Sequence, residues 1–155
     1  MGARNDEPYE LALRALSYKE RTESELRTWL AEREVAEADI EEVIALLVEA
    51  GAIDDAGFAR RYAEDKRSLA GWGPDRISKA LEERGVAREH VDAALGGDDE
   101  EAQLERAIGL LGDRGLACES GRERDRALGL LVRRGYPLEL AYEAVRKVGR
   151  LSDAA

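Results

Sequence analysis

The chain has 155 residues, 37% of them charged, and a formal net charge of −10. This acidic balance argues against nucleic-acid binding through bulk positive charge. The single cysteine, Cys118, excludes an intramolecular disulfide, and the longest strongly apolar run, at residues 43–48, is far too short to span a membrane. The N-terminus is polar and acidic and lacks the apolar core of a signal peptide, so we expect a cytoplasmic protein.

Residues 1–50 carry the apolar spacing of three short helices. The first follows the i, i+3, i+4, i+7 rule from Tyr9 onward. Thr22 opens the second, because Glu25 three residues later completes a capping box in which each side chain satisfies a backbone N–H. The third has the strongest amphipathic pattern of the chain and is expected to end at Gly51. These helices form the first predicted three-helix repeat.

Residues 51–96 give a second set of three helices, the second predicted repeat. Asp54 is placed as the N-cap of the first helix, with Ile53 and Phe58 at the positions of a hydrophobic staple. Pro74 is predicted in the first turn of the next helix, where its missing N–H is not needed. Short links between these helices predict that most of their contacts are local.

Residues 97–155 form the third predicted repeat, which ends in a short frayed tail from residue 149. The acidic run at residues 98–101 suits a helix N-terminus, where negative charge complements the helix macrodipole. Three glycines make residues 112–121 a predicted loop before the second helix of this set. Pro137 then opens the last helix.

One seven-residue pattern recurs about every fifty residues and relates the three sets. Its leucines are offset by 51 and 50 residues, and an arginine stands three residues after each. The pairs are Leu30 with Arg33, Leu81 with Arg84, and Leu131 with Arg134. A period of this size is typical of a repeat architecture whose units bury their apolar faces against one another. The sequence therefore predicts an all-α fold of three tandem three-helix repeats that form an elongated, curved array.

Several segments of the chain resemble the RecX family of recombinase regulators. The firmest match lies in the middle, where residues 53–59 are followed by residues 73–77 and 81–86. Residues 21–26 and 130–136 are similar to the signatures of the flanking repeats. The segments stand in the order and at the spacing of the family. The resemblance covers nearly the whole chain, and it implies tandem three-helix repeats that bind the RecA recombinase.

The resemblance also implies a function. A protein of this family docks along the groove of the RecA filament on single-stranded DNA, lowers RecA's ATPase and strand-exchange activity, and limits filament growth. It would act in DNA recombination, DNA repair and the SOS response. The family brings no catalytic residues and no cofactor, so we expect a regulator that is not an enzyme. We expect it to be a monomer with at most weak direct contact with DNA.

Nine basic residues are candidates for contact with RecA or with DNA in the filament. The densest cluster comprises Arg122, Arg124, Arg126, Arg133 and Arg134. A second stripe comprises Arg60, Arg61, Lys66 and Arg67. Helical spacing puts Arg60 and Arg67 on one face, with Arg61 about a hundred degrees away. A solvated helix face is the ordinary alternative for both groups.

No constellation of residues indicates catalysis or metal binding. The pair Asp54 and Asp55 is interpreted as a helix cap and a first-turn charge, because no histidine or further acid stands at ligand spacing. His90, the only histidine, is expected to be solvated. Neither His90 nor Cys118 has an orienting partner of the kind that catalysis needs.

Two other classes of function stay open on the sequence. A direct DNA-binding module of helix-turn-helix type fits paired helices with short turns, although the acidic balance and the lack of a clear basic recognition helix count against it. Trp29 and Trp72 are expected to be core and staple residues, not platforms on which bases stack. A helical-repeat adaptor for another partner is the third possibility, since a fold alone does not assign a function.

Overall fold

The computed structural model describes residues 3–154, with side chains from residue 7 onward. Within that range the chain has nine helices and no strand, which confirms the predicted all-α class. The helices are α1 (Ala3–Tyr18), α2 (Glu23–Glu32), α3 (Glu37–Glu49), α4 (Asp55–Ala70), α5 (Pro74–Glu83), α6 (Arg88–Leu95), α7 (Glu100–Asp113), α8 (Gly121–Arg133) and α9 (Leu138–Ala154). None of the helices in the described range is long and apolar enough to cross a membrane.

Local sequence signals set where several helices begin. The Thr22 hydroxyl accepts the N–H of Glu25 at 3.1 Å, and the Glu25 carboxylate accepts the N–H of Thr22 at 3.0 Å. This confirms the predicted capping box before α2. Asp54 Oδ1 accepts the N–H of Gly57 at 3.0 Å before α4, and Pro74 is the first residue of α5, both as predicted.

The recurring Leu-x-x-Arg pattern marks the turns that end α2, α5 and α8. One residue after each repeated arginine the backbone takes the left-handed conformation, with φ of 78° at Gly85 and 95° at Gly135. Glu34 takes the equivalent turn with φ of 61°. A side chain in this conformation costs about 1 kcal/mol, and glycine avoids that cost. The pattern is therefore a structural stop signal for the second helix of each set.

The first compact unit comprises the described part of residues 1–59 together with residues 81–91. Helices α1, α2 and α3 supply its core. The core side chains are Ala12, Ala15, Leu26, Leu30, Ile40, Val43, Ile44, Leu47 and Ile53. Each fully buried leucine among them contributes roughly 2 kcal/mol relative to an exposed one. Trp29 is half buried and packs at the edge of this core.

The second compact unit comprises residues 60–80 and the described part of residues 92–155. Helices α7, α8 and α9 supply its core. The core side chains are Ala107, Leu111, Cys118, Ala127, Leu131, Tyr136, Leu140, Ala141, Ala144, Val145 and Val148. The division between the units passes through α4, α5 and α6. This division does not test the predicted repeat boundaries at residues 50 and 96, which stay a prediction.

The frayed tail predicted from residue 149 is wrong. The structure continues α9 as a helix to Ala154, and the Ser152 hydroxyl donates to the carbonyl oxygen of Ala117 at 2.9 Å. Val148, at the start of this stretch, belongs to the core of the second unit. Packing of one face and the bond to the α7–α8 loop therefore hold the last turns helical, although the sequence there has little apolar pattern.

The loop predicted over residues 112–121 is too long. The α7 helix continues to Asp113, and the Ser120 hydroxyl caps α8 by accepting the N–H of Glu123 at 3.1 Å. Two of the three glycines in this stretch thus lie inside helices. Tertiary packing outweighs the cost of about 1 kcal/mol that each glycine adds to a helix.

Candidate functional site

In the second unit, the loop at residues 70–76 packs against the turn at residues 133–136, and we call this contact junction two. The N–H of Gly73 donates to the carbonyl oxygen of Arg134 at 2.8 Å. The N–H of Asp75 donates to the carbonyl oxygen of Gly135 at 2.9 Å. Because both are main-chain bonds, the loop is positioned on the turn without help from flexible side chains. Bonds of this kind contribute about 1 kcal/mol each.

Two glycines allow the segments of junction two to approach this closely. A Cβ on Gly135, whose φ is 95°, would collide with the backbone nitrogen and the Cβ of Arg76. A Cβ on Gly73 would collide with the carbonyl group of Gly135 and the nitrogen of Tyr136. Backbone sterics therefore fix the position of Arg76 against the turn.

Two side chains of the turn anchor it to the loop. Arg134 Nη1 donates to the carbonyl oxygen of Ala70 at 2.6 Å, and the Tyr136 hydroxyl donates to that of Gly71 at 2.8 Å. Burial raises the pKa of Tyr136, although the nearby Arg106 guanidinium opposes this shift. The hydroxyl therefore keeps its proton at neutral pH and stays a donor.

One buried carboxylate beside junction two holds two arginines. Asp98 accepts two hydrogen bonds from Arg106, at 2.9 Å each, and its Oδ2 lies 3.4 Å from Arg67 Nε. The Asp98 side chain is only 3% exposed. Burial disfavours the charge on Arg106, but the hydrogen bonds and charge interactions with Asp98 and Tyr136 together outweigh burial, so the pKa of Arg106 is raised. The Arg67 and Arg106 guanidiniums are therefore committed to the interior of the unit.

In junction two, two cations lie over the Trp72 ring, and the turn adds Arg133 and Arg134. Arg76 Cζ lies 4.1 Å and Lys66 Nζ lies 4.7 Å from the centroid of the Trp72 ring. Arg76 Nη1 also donates to the carbonyl oxygen of Arg133 at 3.3 Å. We call Lys66, Trp72, Arg76, Arg133 and Arg134 the basic patch. Among the described residues, no carboxylate lies within 4.0 Å of a charged nitrogen of these four cations.

In the first unit, the loop before α2 packs against the turn after α5, and we call this contact junction one. The Thr22 hydroxyl donates to the carbonyl oxygen of Arg84 at 2.7 Å. A Cβ on Gly85, whose φ is 78°, would collide with the Ser24 side chain. Junction one therefore uses the same Arg-Gly turn as junction two, and the same close approach at the glycine.

The arginine of junction one is neutralised by a partner inside the unit. Arg84 Nη2 and Nε donate to the two oxygens of the Glu25 carboxylate at 2.9 and 3.3 Å. The Arg84 guanidinium also lies 4.4 Å from the Phe58 ring centroid. Burial works against the charge on Glu25, but the hydrogen bonds from Arg84 and Thr22 lower the pKa of Glu25. The repeated arginine of junction one is therefore already paired with a carboxylate.

The structure brings three of the nine predicted contact residues, Lys66, Arg133 and Arg134, into the basic patch. Arg67 lies beside Asp98, as described above. Arg124 Nε donates to the carbonyl oxygen of Cys118 at 3.1 Å, which ties α8 to the preceding loop. The remaining four, Arg60, Arg61, Arg122 and Arg126, are exposed on α4 and α8 and lie outside the basic patch.

Two members of the basic patch, Trp72 and Arg76, are not among the contact residues predicted from the sequence. Trp72 was assigned to a staple, whereas it is half buried, is flanked by two cations and packs edge-on against Tyr62. The missed signal is an arginine four residues after a tryptophan at the start of a helix. Trp29 and Arg33 have the same spacing, and Arg33 Cζ lies 3.4 Å from the Trp29 ring centroid.

Two other candidate residues, Asp55 and Cys118, have structural roles in the fold. Asp55 Oδ1 accepts the N–H of Glu23 at 3.1 Å, and burial raises the pKa of Asp55. Cys118 is fully buried, and this burial raises the pKa of its thiol, which makes it a poor nucleophile. In the part of the chain that the structure describes, no group of three or more His, Cys, Asp or Glu side chains is placed to hold a metal ion.

Comparison with known families connects this architecture to one group of proteins. Residues 9–47 match the model of the first three-helix domain of RecX, and residues 54–95 match the model of the second. The chain belongs to the RecX family. The two matched domains contain α2, α4, α5 and α6 and most of α1 and α3, and they include the loop side of junction two and both sides of junction one.

Curated relatives agree with the assignment to RecX. The chain is 35% identical over 103 residues to "Regulatory protein RecX" of Halalkalibacterium halodurans, a match that covers 66% of this chain and 39% of that protein. It is 33% identical over 111 residues to "Regulatory protein RecX" of Mycolicibacterium vanbaalenii, covering 72% of this chain and 60% of that protein. The matches thus span less than two thirds of these relatives' length.

Solved RecX structures have the same fold. The crystal structure of RecX from Lactobacillus salivarius superposes with a TM-score of 0.82 over 100% of both chains, at 22% sequence identity. A second crystal structure, of a regulatory protein RecX, superposes with a TM-score of 0.78 over 93% of this chain and 72% of the other, at 26% identity. The tandem three-helix organisation predicted from the sequence is therefore that of the RecX fold.

Proposed function

We propose that this RecX-family chain binds the RecA filament on single-stranded DNA and restrains RecA's ATPase, its strand exchange and its filament growth. In this proposal the protein acts by binding, as a monomer in the cytoplasm, and catalyses no reaction of its own. Its role lies in DNA recombination, DNA repair and the control of the SOS response. Membership of the RecX family and the basic patch support the proposal.

The observation that carries the proposal is the set of four cations in the basic patch. Lys66, Arg76, Arg133 and Arg134 form no ion pair among the described residues, so an external anion can bind them without breaking an internal one. The main-chain bonds of junction two hold them on a rigid support. Preorganised charges of this kind favour fast association and specific orientation on a partner of opposite charge.

A filament offers such a partner at regular intervals. Successive RecA protomers and the DNA phosphates between them repeat along its axis, so one RecX chain can touch more than one protomer. A protein that binds one conformation of the protomers better than another shifts the population toward that conformation. Bridging would thereby oppose the conformational cycle that ATP hydrolysis requires, and the ATPase would slow without any chemistry by the regulator.

The direct test is a titration of this protein into RecA from the same organism, with single-stranded DNA and ATP. We expect the ATPase rate to fall. A fall at substoichiometric protein indicates action at growing filament ends, whereas a fall near one protein per few RecA protomers indicates coating of the groove. An unchanged rate at a large excess of folded protein contradicts the proposal.

The alternative is DNA binding that does not depend on RecA. Binding to a labelled oligonucleotide at physiological salt, measured with and without RecA, separates the two. The proposal expects tight association only when RecA is present, because the net charge of −10 opposes binding to DNA alone. Tight binding without RecA would favour a direct DNA-binding module.

A further inference from the structure

A second basic feature of the second unit lies next to the basic patch and shares Arg133 with it. It is a pocket of about 280 Å³. Its lining residues are Arg114, Leu116, Arg126, Leu130 and Arg133. Three of these five side chains are cationic and none is acidic. We call it the arginine pocket.

Regular structure brings the three arginines together. Arg126, Leu130 and Arg133 are spaced at i, i+4 and i+7 on α8, so they lie along one face of the helix. Arg114 is the C-cap residue of α7, where its N–H donates to the carbonyl oxygens of Leu110 and Leu111. The pocket is therefore held by two helices that each pack against α9.

The guanidiniums of the arginine pocket have free hydrogen-bonding capacity. Among the described side chains, none accepts a hydrogen bond or forms an ion pair with Arg114, Arg126 or Arg133. Each guanidinium offers five N–H donors in a planar fork that matches a phosphate or a carboxylate.

We propose that the arginine pocket binds a phosphate group of a single-stranded DNA backbone. The choice of single-stranded DNA rests on the proposed function, whereas the phosphate chemistry rests on the pocket itself. At about 280 Å³, the volume is below the roughly 300–1,000 Å³ of sites that enclose a drug-sized molecule, so it suits one group of a larger molecule.

The distribution of charge favours a polyanion over a single acidic side chain. Arg122, Arg126 and Arg133 lie along the same stripe of α8, which spans about 16 Å at a rise of about 1.5 Å per residue. The backbone at the end of this stripe also meets the basic patch, since the Arg76 guanidinium donates to the main-chain carbonyl oxygen of Arg133. A carboxylate would engage one guanidinium, whereas a strand of phosphates would engage this whole row.

The test measures fluorescence anisotropy of a labelled oligothymidine at low salt, without RecA. The variant is Arg114→Gln/Arg126→Gln, and the matched control is Arg146→Gln/Arg150→Gln, which removes the same charge from exposed positions on α9. We expect the pocket variant to bind about tenfold more weakly and the control to bind nearly as the unmodified protein does. The slope of log K against log salt should shrink by about 0.7 for each phosphate that the variant no longer neutralises.

Three outcomes overturn the inference: no oligonucleotide binding by the unmodified protein at low salt, equal weakening in both variants, or no weakening in the pocket variant. Circular dichroism establishes that both variants are folded. A parallel titration of inorganic phosphate, followed by the NMR shifts of arginine Nε, tests the free ion as the source. Phosphate binding without oligonucleotide binding would mean that the nucleic-acid assignment is wrong.

The RecA ATPase assay distinguishes failure of the pocket assignment from failure of the proposed regulation. A pocket variant that loses oligonucleotide binding but still slows RecA's ATPase supports the pocket as a phosphate site and leaves the proposed regulation intact. If the unmodified protein binds DNA through the pocket but has no effect on RecA, the proposed regulation fails and the pocket assignment survives.

Discussion

Junction one and junction two contain the same kind of Arg-Gly turn, but among the described residues the repeated arginine has a carboxylate partner only in junction one. In each, the carbonyl oxygen of a repeated arginine accepts a hydrogen bond from the residue before a preceding helix, from Thr22 in one and from Gly73 in the other. Those two residues are 51 positions apart, so the contacts are equivalent in position, although Thr22 donates through its side-chain hydroxyl and Gly73 through its main-chain N–H. The difference lies in the charge three residues further on, which is Glu25 in junction one and Arg76 in junction two.

This difference in charge determines whether the repeated arginine forms an ion pair within its own unit. In junction one Arg84 is held by Glu25 and adds to stability within the unit. In junction two Arg134 has no carboxylate partner in the described structure, and Arg76 adds a further positive charge. The turn is therefore structural in both junctions. The charge in the first turn of the helix packed against it, α2 or α5, determines whether the turn can also bind a partner.

The largest effect is expected from closing the space at a junction glycine. Gly135→Ala should destabilise the second unit by about 4 kcal/mol, because a Cβ there adds left-handed strain and collides with Arg76. Gly115→Ala is the matched control, since Gly115 has φ of 67° and nothing within 4 Å of its Cβ. It should cost only about 1 kcal/mol. Urea unfolding measures both, and equal losses would show that the close approach is not what requires the glycine.

The next largest effect is the loss of unfolding free energy when an ion pair is broken, which should be greater for the buried pairs of Asp98 than for the half-exposed pair of Glu25 with Arg84. Asp98→Asn should cost about 3 kcal/mol, because it leaves the Arg67 and Arg106 guanidiniums without a counter-charge in a site where the carboxylate is 3% exposed. Glu25→Gln should cost about 1 kcal/mol or less, since that pair is 28–30% exposed. Equilibrium unfolding of both variants should rank them in this order, and the reverse ranking would contradict the comparison.

The smallest effect is a pH dependence in junction one. The pKa of Glu25 is lower in the folded protein than its ordinary value of 4.5. A lowered carboxyl pKa adds stability that is present above the ordinary value and is lost as the pH falls through the folded value. The difference in unfolding free energy between the unmodified protein and Glu25→Gln should therefore shrink toward zero in acid. Unfolding curves at pH 7 and at several acidic pH values test this, and a difference that does not change with pH would argue against the Arg84–Glu25 pair as its source.

The elements that the sequence predicts well are those whose cause lies within a few residues. The capping box of Thr22 with Glu25, the cap at Asp54 and the first-turn position of Pro74 each depend on neighbours in the chain. Such signals set helix starts, and with the fifty-residue period they indicate the tandem helical fold.

The site was harder to predict, because the direction of a side chain depends on partners far along the chain. Lys66 and Arg67 are adjacent in sequence, yet Lys66 lies over Trp72 while Arg67 turns to Asp98, 31 residues away. The bonds that build the junctions join residues separated by 57 to 65 positions. Periodicity gives the face of a helix but not the element that covers it, so a list of basic residues could not show which charges stay free.

The measurement that tests the central claim most directly compares two charge reversals in the RecA ATPase assay. Arg76→Glu/Arg133→Glu alters the basic patch, and Arg14→Glu/Arg33→Glu makes the same change in charge at exposed positions of the first unit. Circular dichroism first establishes that each variant is folded. We predict that the control slows RecA's ATPase as the unmodified protein does, and that the patch variant needs at least about tenfold more protein for the same effect. Equal inhibition by the folded patch variant would contradict the account, because the free cations of junction two would then play no part in regulation.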